Sequence, residues 1–192
     1  MKNIFLLLAV LISFNSNAAL ISISLDKSQY QLNETISGQL VVSEFTESLG
    51  GFWAQLNFDP VVLSMESWQF GNGFDDGLGS LQFDEYNESG GSLYLGDYSD
   101  LFADTNVLLA NQGTEFVLAS FTAKSNSAGS HMLTSNDFGL LNFGNDFVDV
   151  NFVPQNINVV NATQVPEPGT WLLMFASLLI LGRSQFRKGK RF

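Results

Sequence analysis

Cysteine is absent from the 192 residues, and histidine occurs once, at position 131. The first absence removes disulfides, thiolate metal sites and cysteine nucleophiles together, so the fold must rest on its core. The second makes any Ser-His-Asp triad depend on His131. Ser120, Ser125 and Ser127 are nearby in sequence, but no nucleophile-elbow pattern surrounds them. Positive charge is the next scarcity: 8 Lys and Arg stand against 19 Asp and Glu, for a net charge of -11. Lys2 and a cluster at positions 183–191 hold all the cations except Lys27 and Lys124, while Glu167 is the one carboxylate beyond residue 160. A middle region so acidic repels phosphate backbones and anionic headgroups, which argues against nucleic acid as its partner. It suits water, divalent cations and neutral sugars.

What is abundant is apolar and aromatic surface. Hydrophobic residues make up 45% of the chain and phenylalanine occurs 18 times, enough for one core without covalent staples. From Leu20 onward the apolar residues alternate with polar ones. Ile21, Ile23 and Leu25 are interleaved with Ser22 and Ser24, and Phe52, Ala54, Leu56 and Phe58 with Trp53, Gln55 and Asn57. A period of two predicts strands with one face on a core and one toward water. Further strands are predicted over 36–42, 63–70, 81–86, 92–95, 115–124, 147–153 and 156–160, with no long helical pattern before Trp171. About nine short strands punctuated by Gly, Asn and Asp predict an all-β, two-sheet sandwich.

The two ends have a different composition. Residues 1–18 run from Lys2 through an apolar stretch at 4–12 to Ser16-Asn17-Ala18-Ala19, the layout of a signal peptide cut after Ala18, with Ala19 as the neighbouring choice. Residues 161–168 are a short polar linker ending in Pro166-Glu167-Pro168. Proline fixes its own φ, lacks an amide donor and pushes the preceding residue out of the helical region, so this stretch should be extended and unpaired. Residues 169–192 then give a helix capped by Thr170, an apolar run from Trp171 to Leu181, and a stop-transfer cluster of Arg183, Arg187, Lys188, Lys190 and Arg191. A helix over 169–182 would rise roughly 21 Å against a hydrocarbon core of about 30 Å. Snorkelling of Arg183 and local thinning would cover the difference.

This three-part tail resembles the sorting signal of the PEP-CTERM family of exported bacterial proteins. The resemblance implies that Pro166, Glu167 and Pro168 are read by a membrane sorting enzyme of the exosortase type, after signal peptidase has acted at the other end. It implies a chain tethered in the inner membrane as an intermediate, then delivered to the cell surface or the extracellular space of an exopolysaccharide-producing Gram-negative cell.

A second resemblance lies between the ends. Gly50-Gly51-Phe52 opens a strand that closes on Phe58-Asp59-Pro60-Val61-Val62-Leu63, and Glu115 to Lys124 runs into Ser127-Ala128-Gly129. Asp59-Pro60 sets a turn with Phe58 and Leu63 packing inward on either side. Over residues 19–160 these stretches resemble the cohesin-type domain, which implies a jelly-roll sandwich and, as the alternative to a passive surface or matrix role, a module binding polysaccharide or a dockerin-type protein. Residues 70–104, rich in Gly, Asp and Tyr, form longer connections than a minimal sandwich needs and are the expected place for binding.

Three chemistries can be weighed within the sandwich. Asp75, Asp76, Asp84, Glu85, Glu88, Asp97, Asp100 and Asp104 invite calcium, but their spacing supplies no loop of alternating oxygens, so no metal ligand is assigned. Glu66, Glu85 or Glu115 could serve a glycoside hydrolase as acids, a choice open to any acidic sandwich and the least favoured reading. Trp53, Trp68, Tyr86, Tyr94 and Tyr98 could stack on sugar rings; Trp53 and Trp68 are expected in the core, and Tyr94 with Tyr98 at the surface. The sequons at Asn33, Asn87 and Asn161 are read as chance matches. No catalytic residue and no cofactor is assigned, and the chain is read as an exported, non-enzymatic protein.

Overall fold

The computed structural model describes residues 18–161. The signal peptide through position 17, the motif Pro166-Glu167-Pro168, the apolar run and the cluster Arg183, Arg187, Lys188, Lys190 and Arg191 lie outside the described residues. In chain order the elements are β1 (Ala19–Leu25), β2 (Tyr30–Gln31), β3 (Thr35–Ser43), β4 (Leu49–Asn57), β5 (Leu63–Phe70), β6 (Ser80–Asn87), β7 (Ser92–Ser99), α1 (Thr105–Gln112), β8 (Glu115–Ser125), β9 (Gly129–Asn142), β10 (Phe147–Val148), β11 (Val150–Val153) and β12 (Gln155–Val160). Among the described residues no helix is long and apolar enough to cross a membrane.

These strands form two sheets, one in the order β11-β1-β3-β8-β5 and one in the order β2-β12-β9-β4-β7-β6, with β10 added beside β9. Their facing sides make one core. Ile21, Ile36, Leu40 and Val42 of the smaller sheet and Phe52, Ala54, Leu56, Leu93, Leu95 and Leu140 of the larger are fully buried in it. The alternation read from the sequence is therefore the alternation between core and surface. The chain passes from sheet to sheet at almost every connection, the β6–β7 and β9–β10 hairpins excepted. The two ends of the domain zip together in parallel: Ala19 lies opposite Val150, and Tyr30 opposite Val159. Pro154, between β11 and β12, marks the point where the last strand changes sheets, a place where no ladder needs its missing amide.

Among the described residues twelve strands appear where about nine were predicted. The stretch 147–153 divides at Asp149 into β10 and β11, and β2 is only two residues long. The longest strand, β9, has no counterpart among the predicted strands. Its alternation is hidden by a bulge: Ala54 pairs with Phe138 but Leu56 with Ser135, so two residues, Asn136 and Asp137, oppose Gln55 alone. A second bulge places Glu66 between Met65 and Ser67, and a third lets the successive residues Leu118 and Ala119 both be buried in β8. The corner at Asp59-Pro60 is as read. Asp59 accepts from Val61 N through Oδ1 at 2.9 Å and from Val62 and Leu63 N through its carbonyl, with Phe58 and Leu63 buried on either side.

The register defines two poles. At one lie Asn57, Asn87, Ser125, the start of β9 and the last described residue, Asn161. At the other lie Leu49, residues 71–79, Ser99, α1, Asn142 and the buried Ala19. The stretch 70–104 is not a set of long loops: β7 runs to Ser99 and is hydrogen-bonded directly to β4, with β6 as the outer edge.

Candidate functional site

Period-two geometry sends Trp53 of β4, Tyr94, Gly96 and Tyr98 of β7, Leu81 and Phe83 of β6 and Gly139 of β9 to the same side of the larger sheet, away from the core. Three of these aromatics lie flat over glycines on the neighbouring strand. A Cβ at Gly139 would fall 2.2 Å from the Trp53 ring, one at Gly96 2.2 Å from the Phe83 ring, and one at Gly51 2.4 Å from the Tyr98 ring. Each glycine is the cross-strand partner of the ring above it, so the ring can cover backbone that any side chain would push it from.

The rings also meet one another. Phe83 stacks on Tyr94 with centroids 5.9 Å apart and on Tyr98 at 5.6 Å, and Trp53 meets the edge of the exposed Phe147 at 6.0 Å. Trp53 Nε1 donates to Asp137 Oδ1 at 2.9 Å, which fixes the indole in the plane of the face. Tyr94 and Tyr98 have phenols held above their ordinary pKa by partial burial and thus stay neutral donors. The result is a partly exposed aromatic band across β6, β7, β4 and β10.

This band revises the sequence reading of the aromatics. Tyr94 and Tyr98 are the surface pair expected, but Trp53 belongs with them rather than in the core. Trp68 and Tyr86 do pack against the core, 5.6 Å apart at the edge between the sheets. Phe83 was missed. Its only sequence signal is its place in the alternation of 81–86, because the glycine that accommodates it lies on another strand.

The acidic residues do not converge. Asp75 Oδ1 accepts from Gly77 N and Gly79 N at 2.7 and 2.9 Å, and Asp104 caps α1 by accepting from Asn106 N. Asp76 accepts from the amides of Asp104 and Leu78, and the Asp104 bond chiefly holds its carboxyl below the usual range. Among the described residues no group of three His, Asp or Glu is placed to hold a metal ion. Glu85 is on the larger sheet, whereas Glu66 and Glu115 are on the smaller one, about 25 Å apart along β8. No hydrolytic pair is assembled from them. His131 lies within β9 opposite Ile157. Asp97 is the exception among the acids: it is fully buried on the inner side of β7, Gln82 Nε2 donates to its Oδ2 at 3.4 Å, Oδ1 has no partner, and burial pushes its carboxyl up to about 6.

The two-sheet arrangement matches solved structures closely enough to be placed. A type II cohesin domain from the cellulosome of Acetivibrio cellulolyticus superposes with a TM-score of 0.63, at 16% identity, over 73% of this chain and 95% of that one. A non-cellulosomal cohesin from Archaeoglobus fulgidus gives 0.58 at 14% identity over 75% and 92%. The fold is cohesin-like. A type I cohesin–dockerin complex from Clostridium thermocellum gives 0.60 at 10% identity over 75% and 100%. No protein-family model and no curated protein sequence matches the chain.

Proposed function

We propose that the chain is an exported, non-enzymatic binding module whose cohesin-like domain engages a protein partner through the aromatic band of its larger sheet. The observation that carries this is the set of rings laid over Gly51, Gly96 and Gly139, which gives a partly exposed, rigid apolar surface in an otherwise acidic domain. The fold supports it, since among its structural neighbours are cohesins solved with dockerins. A polysaccharide is the second occupant, because sugar rings stack on flat aromatics, here Phe83 between Tyr94 and Tyr98.

Delivery is part of the proposal. Pro166-Glu167-Pro168, the apolar run and the basic cluster are a sorting segment that holds the chain in the inner membrane until a sorting enzyme of the exosortase type acts. Residues 1–18 are the leader, 19–160 the delivered domain and 161–168 the tether. Cleavage after Ala18 is favoured over cleavage after Ala19 because Ala19 is buried, lies opposite Val150 and donates its amide to Asp149 O at 2.8 Å. Replacing Pro166, Glu167 and Pro168 by alanine is expected to leave the protein in the inner-membrane fraction; release at the normal rate sinks the sorting reading. For the binding reading, full-length protein and a Phe83→Ser/Tyr98→Ser variant are compared for retention of proteins and of cell-surface polysaccharide. A ligand held equally by both removes the aromatic band from the function.

A further inference from the structure

The aromatic band ends, at the pole where α1 lies, in a groove of about 460 Å³ lined by Gly50, Leu81, Tyr98, Asp100, Leu101 and Phe143. Its apolar walls face water: Leu81 is 68% exposed, Leu101 79% and its neighbour Phe102 87%. Two consecutive large apolar side chains so exposed are costly to solubility, yet this loop is held in shape. Asp100 Oδ1 accepts from Phe102 N at 2.8 Å, its carbonyl accepts from Ala103 N at 3.1 Å, and Asp104 N is bound by Asp76. An ordered apolar patch continuous with an aromatic face marks a contact surface.

Charge decides what kind. Asp75, Asp76, Asp100, Asp104 and Asp146 surround this pole, whereas the two lysines among the described residues, Lys27 and Lys124, are at the other. Lys124 is opposite Thr35 at the far end of β8, about 30 Å along the strand from Glu115, and Lys27 is engaged by Glu34. That separation is several times the screening length of about 8 Å at physiological salt, so among the described residues no cation lies close enough to offset the rim's negative potential. An anionic lipid surface is repelled by it, and a second copy of this chain would bring the same acids against it. Asn161, the last described residue, lies at the opposite pole from the groove.

We infer that this groove receives a cationic protein segment, one that seats an apolar side chain between Leu81, Tyr98 and Leu101 while flanking Lys or Arg face Asp100 and its acidic neighbours. This rests on the partner-binding reading above and names the chemistry of the partner. The test uses full-length protein and three labelled peptide probes: a Phe-Leu pair flanked by lysines, the same pair flanked by glutamates, and lysines flanking a Ser-Ser pair. The first is expected to bind at least about tenfold more tightly than either control, and to weaken as salt is raised and the Debye length falls from about 10 Å at 0.1 M to about 3 Å at 1 M. A Leu101→Ser/Phe102→Ser variant, altered only at exposed positions, is expected to lose that preference while keeping its melting temperature. Equal binding of the glutamate-flanked peptide, binding unaffected by the double variant, or no binding by any probe overturns the inference. So does self-association or adsorption to phosphatidylserine vesicles that the variant abolishes. Leu101→Ser/Phe102→Ser leaves the rings of the aromatic band in place, and a single Phe83→Ser change alters that band at a residue outside the groove lining, so failure here leaves the partner-binding reading standing.

Discussion

Gln112 satisfies both backbone groups of Leu49. Its Oε1 accepts from Leu49 N at 2.9 Å, and its Nε2 donates to Leu49 O at 2.7 Å and to Gly73 O at 3.0 Å. All of this is buried, so one carboxamide completes the start of β4, anchors the loop 71–79 and ties down the last turn of α1. Leu49 precedes Gly50 of the groove lining, so the clasp lies directly beside that groove.

Gln112→Leu is therefore expected to destabilise the domain by roughly 3 kcal/mol, because it strands one donor and two acceptors in the core while leaving side-chain volume nearly unchanged. Chemical denaturation should show a lower midpoint with an unchanged slope. A loss under about 1 kcal/mol would mean that water replaces the amide there.

Gly139→Ala should expel the Trp53 ring from its seat, since the new Cβ would lie 2.2 Å from the indole. The expected readouts are a red-shifted tryptophan emission and a stability loss of about 1–3 kcal/mol. The substitution should also loosen the contact of Trp53 with Phe147 and so weaken any partner of the aromatic band. Unchanged emission would place the ring elsewhere.

The buried Asp97 makes stability fall as pH rises. Its carboxyl ionises near pH 6 in the fold and near the ordinary 3.8 when unfolded. Well below 3.8 it is protonated in both states and the burden of a buried charge is absent. Between 3.8 and 6 the unfolded chain releases the proton first, and above 6 the full burden of a buried charge is present. Asp97→Asn should then be more stable than the parent above pH 6 by on the order of 2 kcal/mol, with the advantage vanishing below 3.8. Melting temperatures across that range provide the check, and a constant difference between the two proteins would refute the assignment.

Tyr30→Phe removes the hydroxyl that donates to Asp26 Oδ1 at 2.6 Å and keeps the buried ring. The expected cost is about 1 kcal/mol. The Tyr30 bond is the largest influence holding the Asp26 carboxyl below its ordinary value, so this contribution is present at neutral pH and lost as acid titrates Asp26. The difference between the two proteins should accordingly shrink at low pH.

Local alternation made much of the fold legible. It placed β5 at 63–70 and most of β3, β4, β8 and β12 near their observed positions, because each of these strands keeps one face on the core. The turn at Asp59-Pro60 was legible for a similar reason: its bonds join residues at most four apart. β9 was not, since its bulge puts two polar residues where the period calls for one and its partners Ala54 and Leu56 belong to a distant strand. α1 is a short helix with only Leu108 and Gln112 buried, too few contacts to leave a helical stripe in the sequence.

By itself the sequence determined a cysteine-free, core-dependent β domain with all its cations but Lys27 and Lys124 at the ends, because composition and period two are properties of the chain. Only the tertiary structure decided which aromatics form one surface. Trp53, Phe83 and Tyr98 share the larger sheet's outer side because β4 pairs with both β7 and β9, and β7 with β6, so that each ring meets a glycine from a neighbouring strand. Pairing between strands that are not consecutive in the chain sets that geometry, and no local pattern encodes it.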